Sequence, residues 1–234
     1  MIKLSYRDVF SKNLIRIDEL DAESLTSLIS EKVLKMVNSK NWKIIMGLGR
    51  DYAVVPDVPV TKMDGTETNV DIAVNFGEAQ YANKVNSIVL GGEWLQEDNL
   101  VVINLNNDKE LYENQERLGS AGNLYTQILD TLRHELVHSK QHERTEQSID
   151  PETDRVGYQS QMHEVQAFAP NIVRQIELML KKHNSTIQEG SQIQTYIEDS
   201  LPDFYDLEEP ARRHLLNLVY VQLDKDGYVG KGIV

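Results

Sequence analysis

Residues 123–140 read NLYTQILDTLRHELVHSK, and a run shortly before them, residues 99–105, reads NLVVINL. The two follow different periods. The earlier run is short, rich in β-branched residues and bounded by turn formers, the pattern of a strand. In the later one Leu124, Tyr125, Ile128, Leu129, Leu132 and Leu136 recur at helical spacing and form an apolar stripe roughly 140° wide. The change begins near Leu118 and predicts a long helix over residues 121–144. His134 and His138 lie just off one edge of that stripe, with Asp130, Arg133 and Lys140 opposite it. Both imidazoles should therefore point into a half-buried cleft.

Working outward, a leading helix is expected from Asp21-Ala22-Glu23-Ser24, carrying Leu25, Leu28, Ile29, Val33, Met36 and Val37 and ending at Asn38-Ser39. Strands are expected at residues 42–48, 51–55, 70–76, 85–90 and 99–105. Pro56 and Pro59 demote the second to an edge or a loop entry. Asp64-Gly65 and Gly91-Gly92 read as turns. Beyond the long helix, residues 146–158 read as a polar loop. A helix from Ser160 carries Val165, Phe168, Ile172, Ile176 and Met179, and Pro170 should kink or split it. Helices near residues 193–201 and 210–223, the second with proline in its first turn, precede a loose glycine-bearing tail of eleven residues. The fold class is α+β: an N-terminal helix, a twisted, mostly antiparallel sheet, two long helices and C-terminal helices.

At 234 residues, with 40% hydrophobic and 26% charged residues, the composition is that of a soluble globular chain able to bury a core. No apolar run approaches the roughly 18 residues of a membrane helix, and residues 1–12 lack the apolar segment of a signal peptide. A cytoplasmic protein with no membrane partner is expected. The absence of cysteine excludes disulfides, thiol catalysis and thiolate metal sites. A net charge of -13, without a basic stripe interleaved with aromatics, argues against nucleic acid as a ligand.

His134-Glu135-Leu136-Val137-His138 is an HExxH sequence. Histidines four apart share one helical face and can reach a single ion. Two neutral imidazoles suit Zn²⁺, with bonds of roughly 2.0–2.1 Å. Glu135 projects at a neighbouring angle, where it can receive a proton from water activated by the metal. A catalytic zinc site wants a third protein ligand and an open fourth position. His142 continues the series, but it lies eight residues from His134, a rise of about 12 Å, too far for one rigid helix to bring all three side chains to one tetrahedral centre. His163 and Glu164 stand together beyond the loop, and Glu164 shares a face with Val165, Ala167 and Phe168. Glu164 is the chosen third ligand and His163 the runner-up.

HELVH, followed 26 residues after His138 by Glu164-Val165-Gln166-Ala167, resembles the gluzincin zinc metallopeptidases over roughly residues 70–180. The resemblance implies His134, His138 and Glu164 as metal ligands and Glu135 as general base. The Glu-Val-Gln-Ala-Phe-Ala ending is similar to the toxin-like and Pro-Pro-cleaving gluzincins. The thermolysin-type pattern has an Asp after this motif to orient a histidine. Phe168 follows Ala167 here, so the partner that orients the histidine ligands is unassigned. In the toxin-like group a tyrosine slightly upstream of the ligand Glu stabilises the oxyanion, which implies that role for Tyr158. The resemblance also implies that strand 99–105 is the edge strand above the cleft, open to an extended peptide. The small, acidic, cysteine-free chain is similar to metallopeptidases encoded by tailed bacteriophages, which places it in a host cytoplasm or a virion.

The expected organisation is one domain: residues 1–69 with the first helix and strands, a catalytic core over 70–183 and a helical extension over 184–234. The expected activity is zinc-dependent cleavage of a peptide or protein substrate. The alternatives are a phage structural or host-interaction protein with zinc as a staple, and a zinc amidase acting on a non-protein amide. Oligomeric state is not readable. The remaining candidates read as ordinary structure. Asp224-Lys225-Asp226-Gly227 lacks the glutamate and the following helix of a calcium loop and is a turn. Gly47-Leu48-Gly49 is a turn, His183 and His214 are surface or capping residues, and Trp42 and Trp94 are packing anchors.

Overall fold

A computed structural model describes residues 19–42, 52–62, 65–78, 87–114, 123–141, 154–201 and 204–230. The architecture is α+β, and the chain forms two compact units, one within residues 17–142 and the other drawn from residues 143–234.

The first unit contains α1 (Glu19–Val37), β1 (Tyr52–Thr61), β2 (Glu67–Gly77), β3 (Val89–Leu95), β4 (Leu100–Asn106), α2 (Lys109–Glu113) and α3 (Leu124–Lys140). Its sheet has the order β1-β2-β4-β3. β1 and β2 pair antiparallel, β3 and β4 pair antiparallel, and β2 and β4 pair parallel, with Ile72 opposite Val101 and Val74 opposite Ile103. The reading of residues 99–105 as an edge strand is thus corrected: β4 is an inner strand. The physical sign was in the sequence. Val101 and Ile103 are buried on one face and Val102 on the other, and a strand covered on both faces reads as a continuous apolar run.

β1 is an outer strand, as its prolines require. It carries two register shifts, and the exposed Asp57 takes φ 55° while its N–H donates to Asp71 Oδ1 at 2.9 Å. The other outer strand is β3, which the sequence reading assigned in part to residues 85–90 and closed with a Gly91-Gly92 turn. Both glycines instead lie in the strand, Gly91 just after a bulge and Gly92 opposite Ile103. α1 buries Ile29, Val33 and Val37 in the core beneath the sheet, together with Ile128, Leu132 and Leu136 of α3. Trp42 packs there edge-on against Phe76 and Tyr112, the anchoring role expected of it. Trp94 packs against the same core.

The second unit contains α4 (Arg155–Ser160), α5 (Met162–His183), α6 (Gly190–Ser200) and α7 (Glu209–Lys225). α4 occupies part of the stretch expected to be loop. α5 runs unbroken through Pro170, so the proline does not split it. Ile172, Ile176 and Leu180 of α5 meet Leu215, Val219 and Leu223 of α7 in a second core. Residues 224–230 of the expected tail are less loose than expected, and residues 231–234 lie outside the described residues. Lys225 closes α7, Gly227 turns at φ 81°, and Ile187 exchanges hydrogen bonds of 2.8 Å with Tyr228 and Gly230. Asp224 and Gly227 form the expected turn. The predicted features at residues 43–49, including Gly47-Leu48-Gly49, and His142 lie outside the described residues. Among the described residues no helix is long and apolar enough to cross a membrane.

His214 corrects another expectation: it is a core residue of α7, only 2% exposed. Burial disfavours the charged ring and lowers its pKa from 6.5. The unfolded chain then binds a proton more readily than the folded one, so the contribution of neutral His214 is complete above pH 6.5 and declines as pH falls through the folded value. Urea unfolding at pH 7.5 and pH 5.5 should show a loss of stability on acidification. The loss should be smaller in His214→Gln; an equal loss in both proteins would remove His214 as its source.

Candidate metal centre

α3 begins at Asn123, whose side chain accepts the Thr126 N–H at 2.8 Å. Its apolar stripe is buried as expected, apart from the half-buried Tyr125. The opposite side, which carries charged residues in the sequence, is largely buried too. Arg133 is 1% exposed, with Asp130 Oδ1 at 4.0 Å from its Nη1, and Glu135, Val137, His138 and Ser139 are buried as well. His134 is half-buried. The helix is therefore enclosed around the HExxH turn, where charged and polar groups must be compensated.

The two histidines meet as the four-residue spacing requires. Their Nε2 atoms lie 3.1 Å apart with the rings nearly perpendicular. Nδ1–H of His138 donates to Gln141 Oε1 at 2.9 Å. That bond fixes the ring's tautomer and leaves the Nε2 lone pair directed at His134. Two ligands on a tetrahedral zinc, with bonds of roughly 2.0–2.1 Å, sit about 3.3 Å apart. The observed separation is thus close to the one a shared ion imposes. Gln141 is the orienting partner that the sequence left unassigned. It sits where α3 ends, three residues after His138, so its signal was no more than helical proximity.

Glu164 stands in the first turn of α5 and is wholly buried. A carboxylate there is favoured by the positive end of the helix. Its neighbour His163, the runner-up ligand, is partly exposed and places Nε2 3.2 Å from Glu164 Oε1. Tyr158 is half-buried on α4. The Asp154 side chain caps that helix by accepting the Gly157 N–H at 2.8 Å. Gln161 links the two helices, donating to the Tyr158 carbonyl and accepting from Val165. The Ser160 hydroxyl accepts the Glu208 N–H at 2.9 Å, tying this corner to the start of α7.

His134 and His138 of the first unit and Glu164 of the second are residues that could hold a metal ion. Two imidazole nitrogens and one carboxylate oxygen are a donor set of the zinc type. The wholly buried Glu164 is the negative charge such an ion would neutralise. No family model, curated protein or solved structure matches the chain.

Removing the orienting partner tests the pair directly. Gln141→Leu should weaken zinc binding roughly 10–100-fold, the usual cost of losing such a contact. Competition against a chelator of known affinity would measure it. Affinity unchanged in the variant would mean that the Gln141 contact does not hold the ring.

Proposed function

We propose that this protein is a zinc-dependent hydrolase that cleaves peptide bonds, with His134, His138 and Glu164 as the metal ligands and Glu135 as the general base. The observation that carries this reading is the meeting of His134 and His138, Nε2 to Nε2 at 3.1 Å, on a HExxH helix, with the wholly buried Glu164 of α5 as the third donor. Among the described residues the group offers three protein donors, the number typical of catalytic zinc sites; structural sites usually close with four. That count favours the hydrolase over a zinc staple. The gluzincin resemblance of the same residues supplies the reaction class.

Zinc bound there would supply Lewis acidity and make water acidic enough to ionise near neutral pH. Glu135, the residue after a ligand and buried on the same helix, takes the proton from the attacking water and returns it to the leaving amine. Tyr158 donates its phenolic O–H to the oxygen that becomes negative as the carbonyl is attacked. The substrate is an extended peptide. The outer strand β3, not β4, offers it a sheet edge, where main-chain hydrogen bonds can form independently of sequence.

A peptide-library digest with zinc-loaded protein should reveal cleavage that a chelator abolishes. Glu135→Gln should retain zinc and lose hydrolysis; cleavage at the wild-type rate would remove Glu135 as the base. Tyr158→Phe should lower kcat about 10²–10³-fold with little change in KM, the loss expected for one oxyanion donor. A Phe variant with unaltered kcat would leave Tyr158 a packing residue.

A further inference from the structure

Gly92 lies in mid-strand, and its backbone is not in the left-handed region that glycine alone favours; the positive-φ glycines among the described residues are Gly65 and Gly227. What distinguishes Gly92 is space. A Cβ built on it would stand 2.6 Å from Glu135 Cγ, 2.6 Å from Glu135 Oε1 and 2.7 Å from Thr131 Cγ2. A Cβ on the adjacent Gly91 would meet nothing within 4 Å. The strand is also pinned to the same helix upstream, where the Val89 N–H and the Ser87 hydroxyl both donate to Gln127 Oε1. β3 therefore cannot simply lift away from α3 to make room for a side chain.

We propose that Gly92 is a positioning residue for Glu135: its bare α-carbon is the wall against which the carboxylate rests, and any side chain at 92 displaces that carboxylate. The inference rests on Glu135 being the base, but the placement can be tested without turnover. Glu135→Ala removes both Glu135 atoms that a Cβ at 92 would strike, and Thr131→Ser removes the third contact.

The experiment is a thermal double-mutant cycle on the full chain, with and without zinc. Gly92→Ala should lower the unfolding midpoint by roughly 4–8 °C, and the fall should be at least halved in the Glu135→Ala background. Gly91→Ala should leave the midpoint within about 2 °C, since the space beside it is open. Should Gly92→Ala alone fail to fold, recovery in Gly92→Ala/Thr131→Ser/Glu135→Ala supports the proposal and continued failure overturns it. Equal falls in both backgrounds, or no fall at all, also overturn it. Where turnover is measurable, Gly92→Ala should reduce kcat at least tenfold, with KM and zinc affinity within twofold of wild type. Thermal coupling without hydrolysis in the wild-type chain would sink the peptidase reading while leaving Glu135 seated on Gly92.

Discussion

Two imidazole nitrogens 3.1 Å apart, one of them fixed as a bare lone pair by the Gln141 contact, are the tightest constraint on this molecule's chemistry. Lone pairs at that distance repel unless something positive lies between them. A proton can serve, converting one ring to the donor of an N–H···N bond. A metal ion serves better where a carboxylate completes the set, because one cation then offsets three electron-rich groups. The separation requires an α-helix to hold the rings one turn apart and a cap that stops Gln141 within reach of Nδ1. Asn123 at one end and Gln141 at the other thus frame a helix whose purpose is local: to hold His134 and His138 on one face.

The sheet serves that helix. β2 and β4 lie at its centre, with Ile72, Val74, Val101 and Ile103 buried, and they give a platform from which β3 projects as an outer strand. β3 approaches α3 closely because it presents no side chain at Gly92 and its Val89 N–H donates to Gln127 Oε1. The same closeness brings an outer strand of the sheet beside the residue proposed as the base. A bulkier strand would have to stand further off, and a peptide paired to it would be held further from Glu135.

How much of this was legible in the sequence depended on the range of the interaction. The HExxH helix and its apolar stripe rest on spacing within a turn or two, and those features were readable. The proline-bearing strand was placed at the sheet's edge for the equally local reason that proline lacks an N–H. The errors share a different origin. Gly91-Gly92 was read as a turn because glycine is a turn former, but the reason for glycine at 92 is a side chain 43 positions away. His214 was assigned to a surface or capping position by residue type, whereas it is buried by packing that a single helix cannot announce. Strand order is a further case. β4's unbroken apolar run carried the information that it was internal, but the family resemblance suggested an edge, and the run was the better guide.

The donor set narrows the choice of ion by elementary coordination chemistry. Calcium and magnesium prefer all-oxygen sites, and two neutral imidazoles offer them little. Ions that require soft sulfur are excluded by a chain without cysteine. What remains are the first-row divalent metals that accept nitrogen and oxygen together. The chain's own charge favours any of them: at -13 its field draws cations toward the molecule and repels anions. A peptide substrate is least opposed by that field when it is neutral or basic. The acidity that argues against nucleic acid as a ligand therefore favours a cation.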